Sequence, residues 1–346
     1  MTTRTPRGRS GAVAQPLTDE ERLTRRTLAR RRLRRQRIGV LIVTVAALVV
    51  VVVVLTSAGG RASTGSKTAG RRGAVGRHRR PVTVPHLPRG GRTLLPGHLI
   101  VAFYGIVGTS NVLGRTRDPE ADAAAVERQA RAFRRFGRPV QPAFELVTTI
   151  ASPTPGSDGT FSAGVDRTTV QRYLDVAHRH KLLLILDFQP GRGEFLPEVR
   201  RYARFLTDPS VSVALDPEWK LTAAQVPDQV VGSSSAASIN AVSTYLSRLV
   251  TTHHLPQKLF IIHEFRSTEL PDRHNIGFAP GLATVLQMDG LGPVAIKLRS
   301  YRDVMRNAHG FHPGFKVFLR PVDDPVRLTP RQIMRLAPRP DYVSYQ

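Results

Sequence analysis

The chain has 346 residues, no cysteine and a formal net charge of +25. The lack of thiols excludes disulfides and thiolate metal sites, and it is compatible with export. The charge is concentrated near the N-terminus: residues 1–37 carry twelve Arg and three acids, and residues 59–93 carry nine Lys/Arg and no acid. Residues 94–346 hold only a net +7. This distribution excludes nucleic acid as the predicted partner, because a nucleic-acid-binding domain concentrates positive charge on its folded part.

Residues 38–58 are predominantly apolar and contain no charged residue and no proline. About 20 such residues cross the hydrocarbon core as a helix, and the excess of Arg before the run predicts a cytoplasmic N-terminus. We therefore predict a basic cytoplasmic tail over 1–37 and a single-pass signal-anchor helix in the lipid bilayer over 38–58. The rest of the chain would be extracellular at the cell membrane. A signal peptide cleaved after Ala58 is the alternative.

Residues 59–93 are rich in Gly, Arg, Ser and Pro, which predicts a disordered linker because they offer little apolar surface to bury. Short apolar runs then alternate with helical patterns. The runs are 98–105, 143–152, 181–189, 211–218, 258–265, 282–290, 315–321 and 341–346. The helical patterns are 118–136, 167–180, 194–206, 236–253, 295–308 and 329–337, and 266–281 fits only a short or irregular helix.

Continuous apolar strands separated by helices are typical of a parallel sheet covered on both faces. Eight such units in about 250 residues predict an α/β fold, a (β/α)8 TIM barrel over 94–346. An open doubly wound sheet is the alternative. The glycine fingerprint that binds a dinucleotide in such a sheet is missing, so no cofactor is predicted.

Barrel enzymes place their chemistry where the strands end. The polar side chains predicted at this mouth are Tyr104, Asp187, Gln189, Asp216, Glu218, Trp219, His263, Glu264 and Asp289. Asp187 and Asp289 could instead cap the helices that follow them. Glu145 comes early in its strand, which argues against a place at the mouth.

Asp216 and Glu218 are two positions apart, which on a strand places both on one face. Two carboxylates that close raise the pKa of one member, which then keeps its proton. A protonated acid beside an ionised one suits glycosidic cleavage, with one group protonating the leaving oxygen and the other stabilising positive charge on the sugar. Trp219, the only tryptophan, is either a stacking platform for a sugar ring or a residue packed under a loop.

The motif "LDPEW" (215–219) resembles the D-x-E at the end of the fourth strand in glycoside hydrolase family 25 lysozymes and family 18 chitinases. The whole of 98–346 most resembles a group of exported actinobacterial barrel proteins through "FYG" (103–105), "LILDFQPG" (184–191), "LDPEW" and "MDG" (288–290). The resemblance implies that Glu218 is the general acid and Asp216 its neighbour. The chain departs from the lysozymes in having Tyr104 and no Asp on its first strand.

Three classes of function remain open. The first is a membrane-anchored glycosidase acting on cell-wall or capsular glycan without a metal. The second is a barrel that binds such a glycan without catalysis. The third is a metal-dependent barrel enzyme that binds a divalent cation such as Mg²⁺ or Mn²⁺ through Asp187, Asp216, Glu218, His263 and Asp289. The sequence does not predict the oligomeric state.

Overall fold

The computed structural model describes residues 84–346. The predicted cytoplasmic tail, the predicted anchor helix over 38–58 and most of the predicted linker lie outside the described residues. Within 84–346, every helix is too short or too polar to cross a lipid bilayer.

Eight parallel strands close into a barrel, and a ninth short strand pairs antiparallel with the end of the second. The strands are β1 (Leu99–Gly105), β2 (Val140–Ala151), β3 (Ser162–Gly164), β4 (Leu183–Phe188), β5 (Val211–Leu215), β6 (Lys258–Glu264), β7 (Leu282–Met288), β8 (His312–Val317) and β9 (Tyr342–Tyr345). Around the barrel the order is β1, β2, β4, β5, β6, β7, β8 and β9, and β9 pairs with β1 again. The predicted closed (β/α)8 arrangement is therefore confirmed.

Helices lie between the strands as the periodicity predicts. They are α1 (Pro119–Arg131), α2 (Arg167–His180), α3 (Phe195–Arg201), α4 (Ala203–Leu206), α5 (Ala236–Thr252), α6 (Val294–Met305) and α7 (Pro330–Ile333). The ends of α2 follow from local chemistry. The Asp166 side chain accepts a hydrogen bond from the Thr169 amide in the first turn of the helix. Lys181, directly after the last helical residue, adopts a left-handed backbone conformation that ends it. The segment 266–281 contains only short turns, Ser267–Glu269 and Arg273–Asn275.

The barrel interior has two layers of different chemistry. Its lower part is aliphatic, built from side chains such as Ile100, Ile185, Ile261 and Val285. Above it, toward the strand ends, lies a layer of buried polar and charged side chains: Tyr104, Glu145, Asp187, Asp216, His263, Gln287, Lys316 and Ser344. The fold therefore places a buried charged layer, which we call the charged layer, above an aliphatic layer.

Contacts to the barrel begin before the predicted domain start at Leu94. Leu87 is buried with the lower interior layer. The Arg92 guanidinium donates to the carbonyl of Leu255, and the Arg92 carbonyl accepts from the Gln257 amide at 2.8 Å. The last ten residues of the predicted linker, 84–93, thus pack against the N-terminal end of the barrel.

Candidate active site

His263 lies at the centre of the charged layer, at the end of β6, and is 1% exposed. Its Nε2 lies 3.0 Å from Glu145 Oε1, and its Nδ1 lies 3.2 Å from Asp289 Oδ2 and 3.1 Å from Asp216 Oδ1. Burial lowers the pKa of His263, but Asp216 and the hydrogen bonds to Asp289 and Glu145 outweigh it and raise this pKa well above its usual value. With a carboxylate at each nitrogen, the ring is the doubly protonated imidazolium.

Asp216 is buried directly after β5 and is held by two donors. Gln189 Nε2 donates to its Oδ2 at 2.9 Å, and the Tyr104 hydroxyl donates to the same oxygen at 3.3 Å. Burial raises the pKa of Asp216, while His263 and Lys316 oppose that rise. Tyr104 and Gln189, predicted as substrate-binding residues, are therefore engaged with Asp216.

Asp187 lies beside Asp216 at the end of β4 and is fully buried, with no hydrogen-bond partner on either carboxyl oxygen. One ligand atom each of Asp187, Asp216 and His263 lies within 4.8 Å of the other two. Burial, and then the charge of Asp216, raise the pKa of Asp187 well above its usual range. Asp187 therefore holds the proton of this pair, because Asp216 has the donors and the nearby cations that stabilise an anion.

Lys316, the next-to-last residue of β8, is a site residue that the sequence analysis missed. Its Nζ lies 3.4 Å from Asp289 Oδ2 and 3.7 Å from the centroid of the Tyr104 ring. Burial lowers the pKa of Lys316, but Asp289, Asp216 and other acids outweigh it and raise the pKa above its usual value. Burial likewise raises the pKa of Asp289, but Lys316 and His263 lower it overall. Lys316 is therefore an ammonium, not a neutral amine.

Glu145 also belongs to the centre of the site, contrary to the argument from its early place in the strand. β2 has twelve residues and is paired so that Glu145 lies opposite Tyr104 of β1. The Glu145 carboxylate binds His263 through Oε1, and its Oε2 accepts a hydrogen bond from the Tyr342 hydroxyl at 2.8 Å. Burial and Glu145 raise the pKa of Tyr342 well above its usual value.

Glu218 and Trp219 lie at the mouth, but not on a strand. β5 ends at Leu215, and Pro217–Trp219 forms a single 3-10 turn, because proline has no amide hydrogen to continue the strand ladder. The expectation that Asp216 and Glu218 share a strand face is therefore wrong. Their carboxylates still converge: one oxygen each of Asp216, Glu218 and Asp289 lies within 4.8 Å of the other two. Glu218 and Trp219 are half-buried.

Glu264 is separated from the charged layer, although it follows His263 directly. Successive side chains of a strand point to opposite faces, and Glu264 forms an ion pair with Arg273 outside the barrel interior, at 2.5 Å. Burial raises the pKa of Glu264 to about 7, although Arg273 opposes the rise. The structure therefore does not bring this predicted substrate-binding residue to the site.

Two sets of residues have the spacing of metal ligands, and their chemistry differs. The set Asp187, Asp216 and His263 offers two carboxylates and one imidazole, and a cation bound there would have to displace the proton of His263, because a ligating imidazole is neutral. The set Asp216, Glu218 and Asp289 offers only oxygens, which suit a hard divalent cation. The Lys316 ammonium beside Asp289 competes with such an ion.

Comparisons with known proteins add little to this site. No protein-family model matches the chain, and no curated protein sequence matches it. Among solved structures, it is similar to a sialic acid aldolase from Ruminococcus gnavus, a catalytic lysine mutant. The identity is 10%, the TM-score is 0.37, and the match covers 71% of this chain and 66% of that one. A similarity this distant carries no argument about activity or about the roles of residues.

Proposed function

We propose that this protein is a glycoside hydrolase that cleaves a cell-wall or capsular glycan, with Glu218 as general acid and Asp216 as the neighbouring anion. One observation carries the proposal: the carboxylates of Asp216, Glu218 and Asp289 meet within 4.8 Å at the carboxyl ends of the barrel strands. Glu218 is half-buried on its turn, whereas Asp216 is buried beneath it. The more accessible acid can reach a glycosidic oxygen, and the deeper one faces the sugar carbon.

The chemistry requires one proton donor and one fixed negative charge. Glu218 would give its proton to the leaving oxygen as the bond from that oxygen to the sugar carbon breaks, and Asp216 would stabilise the positive charge left on the sugar. Water would then add to that carbon and return one proton to Glu218. Retaining glycosidases separate their two carboxyl groups by about 5–5.5 Å, and inverting ones by about 6.5–9.5 Å. One oxygen of Asp216 and one of Glu218 lie within 4.8 Å of each other, which leaves little room for the intervening water of an inverting enzyme. Trp219, next to the acid, would stack on a sugar ring.

The contacts around Asp216 support its role as the fixed negative charge. Gln189 and Tyr104 donate hydrogen bonds to Asp216, and the imidazolium of His263 lies 3.1 Å from its other oxygen. Hydrogen bonds and cations of this kind favour the ionised form of a carboxyl group. Burial still raises the pKa of Asp216 overall, and these contacts offset part of that rise; the proposed role requires that they keep Asp216 an anion.

A divalent-cation enzyme is the second candidate, favoured by the all-oxygen set Asp216, Glu218 and Asp289. It predicts that activity disappears when EDTA removes the metal and returns when Mg²⁺ or Mn²⁺ is added. The glycosidase predicts full activity in EDTA. A barrel that binds glycan without catalysis predicts binding and no products from any glycan tested.

The test is hydrolysis of envelope polysaccharides by the full-length protein in detergent, comparing the parent with Glu218→Gln. Loss of a general acid lowers the rate by about 10²–10⁴-fold. Glutamine keeps the shape of the side chain, so glycan binding and melting temperature should not change. Glu127→Gln, on α1 and away from the mouth, is the matched control and should match the parent. A Glu218→Gln protein as fast as the parent would remove Glu218 from the mechanism.

A further inference from the structure

Three successive residues of the long connection after β5 bind the turns that form the mouth. The Gly232 amide donates to the Glu218 carbonyl at 2.6 Å, and the Ser233 amide donates to the Lys220 carbonyl at 2.9 Å. The Ser234 amide donates to the carbonyl of Glu269, in the turn after β6, at 2.8 Å. Residues 232–234, which we name the strap, thus join the turn that carries Glu218 to the turn after the next strand.

Gly232 is required by space and not by backbone conformation, because its φ lies outside the left-handed region. A Cβ there would lie 2.1 Å from the Lys220 carbonyl oxygen and 2.9 Å from the Glu218 carbonyl oxygen. Both are backbone atoms, so no side-chain rotation relieves the contact. The strap or the Glu218 turn would have to move by about 1 Å, a displacement that can cost about 10²-fold in rate at a catalytic centre.

The residues that directly follow the Glu218 turn are also held by backbone hydrogen bonds. The Leu221 amide donates to the Gly191 carbonyl at 2.7 Å, and Gly191 pairs with Lys220 as an isolated parallel bridge. Gly191 has φ of +59° and approaches the carbonyls of Thr160 and Phe161 so closely that a Cβ would lie 2.3 Å and 2.6 Å from their oxygens. The residues that follow the Glu218 turn are thus bonded to Gly191, which itself packs closely against the backbone of Thr160 and Phe161.

We propose that Gly232 is a positioning residue: through the strap it fixes the height of the Glu218 turn above Asp216, so that the two carboxylates keep their short separation. The proposal of an effect on catalysis rests on the proposed function, whereas the effect on the turn does not. The turn supplies its own reporter, because Trp219 is the only tryptophan of the chain and directly follows Glu218. Its fluorescence therefore reports the position of this turn alone.

The experiment compares full-length parent, Gly232→Ala and Gly97→Ala. A Cβ at Gly97 would meet its nearest atom at 3.8 Å, an ordinary contact, so this variant is the matched control. We expect Gly232→Ala to change the emission maximum and the acrylamide quenching of Trp219, and Gly97→Ala to change neither. With a glycan that the parent cleaves, kcat should fall about 10²-fold while KM changes by less than about twofold.

Four outcomes decide the matter. An unchanged Trp219 signal in a folded Gly232→Ala protein overturns the strap, and a changed signal with unchanged kcat overturns the positioning role. If the Trp219 signal changes in Gly232→Ala but the parent itself cleaves no glycan, the strap is retained and the proposed function is removed. If Gly232→Ala does not fold, hydrogen exchange of the parent decides. The amides of Gly232 and Ser233 should then exchange far more slowly than those of exposed Ala223 and Ala224, and equal rates would overturn the proposal.

Discussion

Replacing Asp187 with asparagine should make the protein increasingly more stable than the parent as the pH rises from about 4. Asp187 is fully buried without a hydrogen-bond partner, and burial together with Asp216 raises its pKa well above the usual range. The folded protein therefore keeps a proton that the unfolded chain loses near pH 3.9. Between the unfolded and the folded pKa, the free energy of unfolding falls by about 1.4 kcal/mol per pH unit. Asparagine does not titrate and abolishes this loss.

The measurement is urea unfolding of full-length parent and Asp187→Asn in detergent, followed by circular dichroism at pH 4, 5 and 6. The free energy of unfolding of the variant minus that of the parent should grow by about 1.4 kcal/mol per pH unit. A constant offset between the two proteins, such as an unbonded amide in the variant, cancels in this slope. The titration belongs to the Asp187–Asp216 pair, so the slope measures the proton that the pair holds.

Asp166→Asn is the control with the opposite sign. Asp166 caps α2, and its hydrogen bond from the Thr169 hydroxyl lowers its pKa. The ionised form is therefore stabilised in the folded protein, and the parent gains this stability below about pH 4, as the pH rises through the folded pKa to the unfolded one. The difference between Asp166→Asn and the parent should therefore stay nearly constant from pH 5 to 6, where that of Asp187→Asn grows. A difference between Asp187→Asn and the parent that stays flat from pH 4 to 6 would refute the assignment of the proton to Asp187.

Two further predictions address the charged layer and the topology. Tyr342→Phe should lower the free energy of unfolding by about 1–3 kcal/mol in urea titrations, because Glu145 Oε2 loses its 2.8 Å donor while the barrel stays closed; equal stability would contradict the role of this hydrogen bond. Protease added to intact cells should digest the barrel and leave a small membrane-bound fragment, because residues 38–58 are predicted to anchor the chain with 1–37 inside; a protected barrel, or a secreted protein beginning near Gly59, would contradict that topology.

The architecture was predictable because each βα unit has its own local pattern. The helix predicted over 167–180 matches α2 at both ends, since an acidic cap precedes an amphipathic face. Strand ends were less predictable. The sequence predicts a strand over 211–218, but β5 ends at Leu215. Pro217 breaks the hydrogen-bond ladder, and Asp216 and Glu218 meet through a turn.

The site was predictable only where a polar residue stands at a visible strand end. Asp187, Asp216, His263 and Asp289 satisfy that rule and come together. Lys316 was missed because the predicted run, 315–321, places it near the start of a strand, whereas β8 is His312–Val317 and Lys316 is its next-to-last residue, with a side chain that reaches Asp289. Glu145 was misjudged because its height depends on the register of β2 against β1, and register is a tertiary property that a single strand does not contain.

The burial of the charged layer has a consequence for the medium in which the protein works. Mobile ions weaken interactions between charges that face the solvent, and much less those between buried charges. The side chains of Glu145, Asp216, His263 and Lys316 are at most 2% exposed. The ionic strength of the medium therefore has little effect on the electric field within the charged layer. The charged layer would therefore keep the same balance of charge in dilute and in concentrated salt.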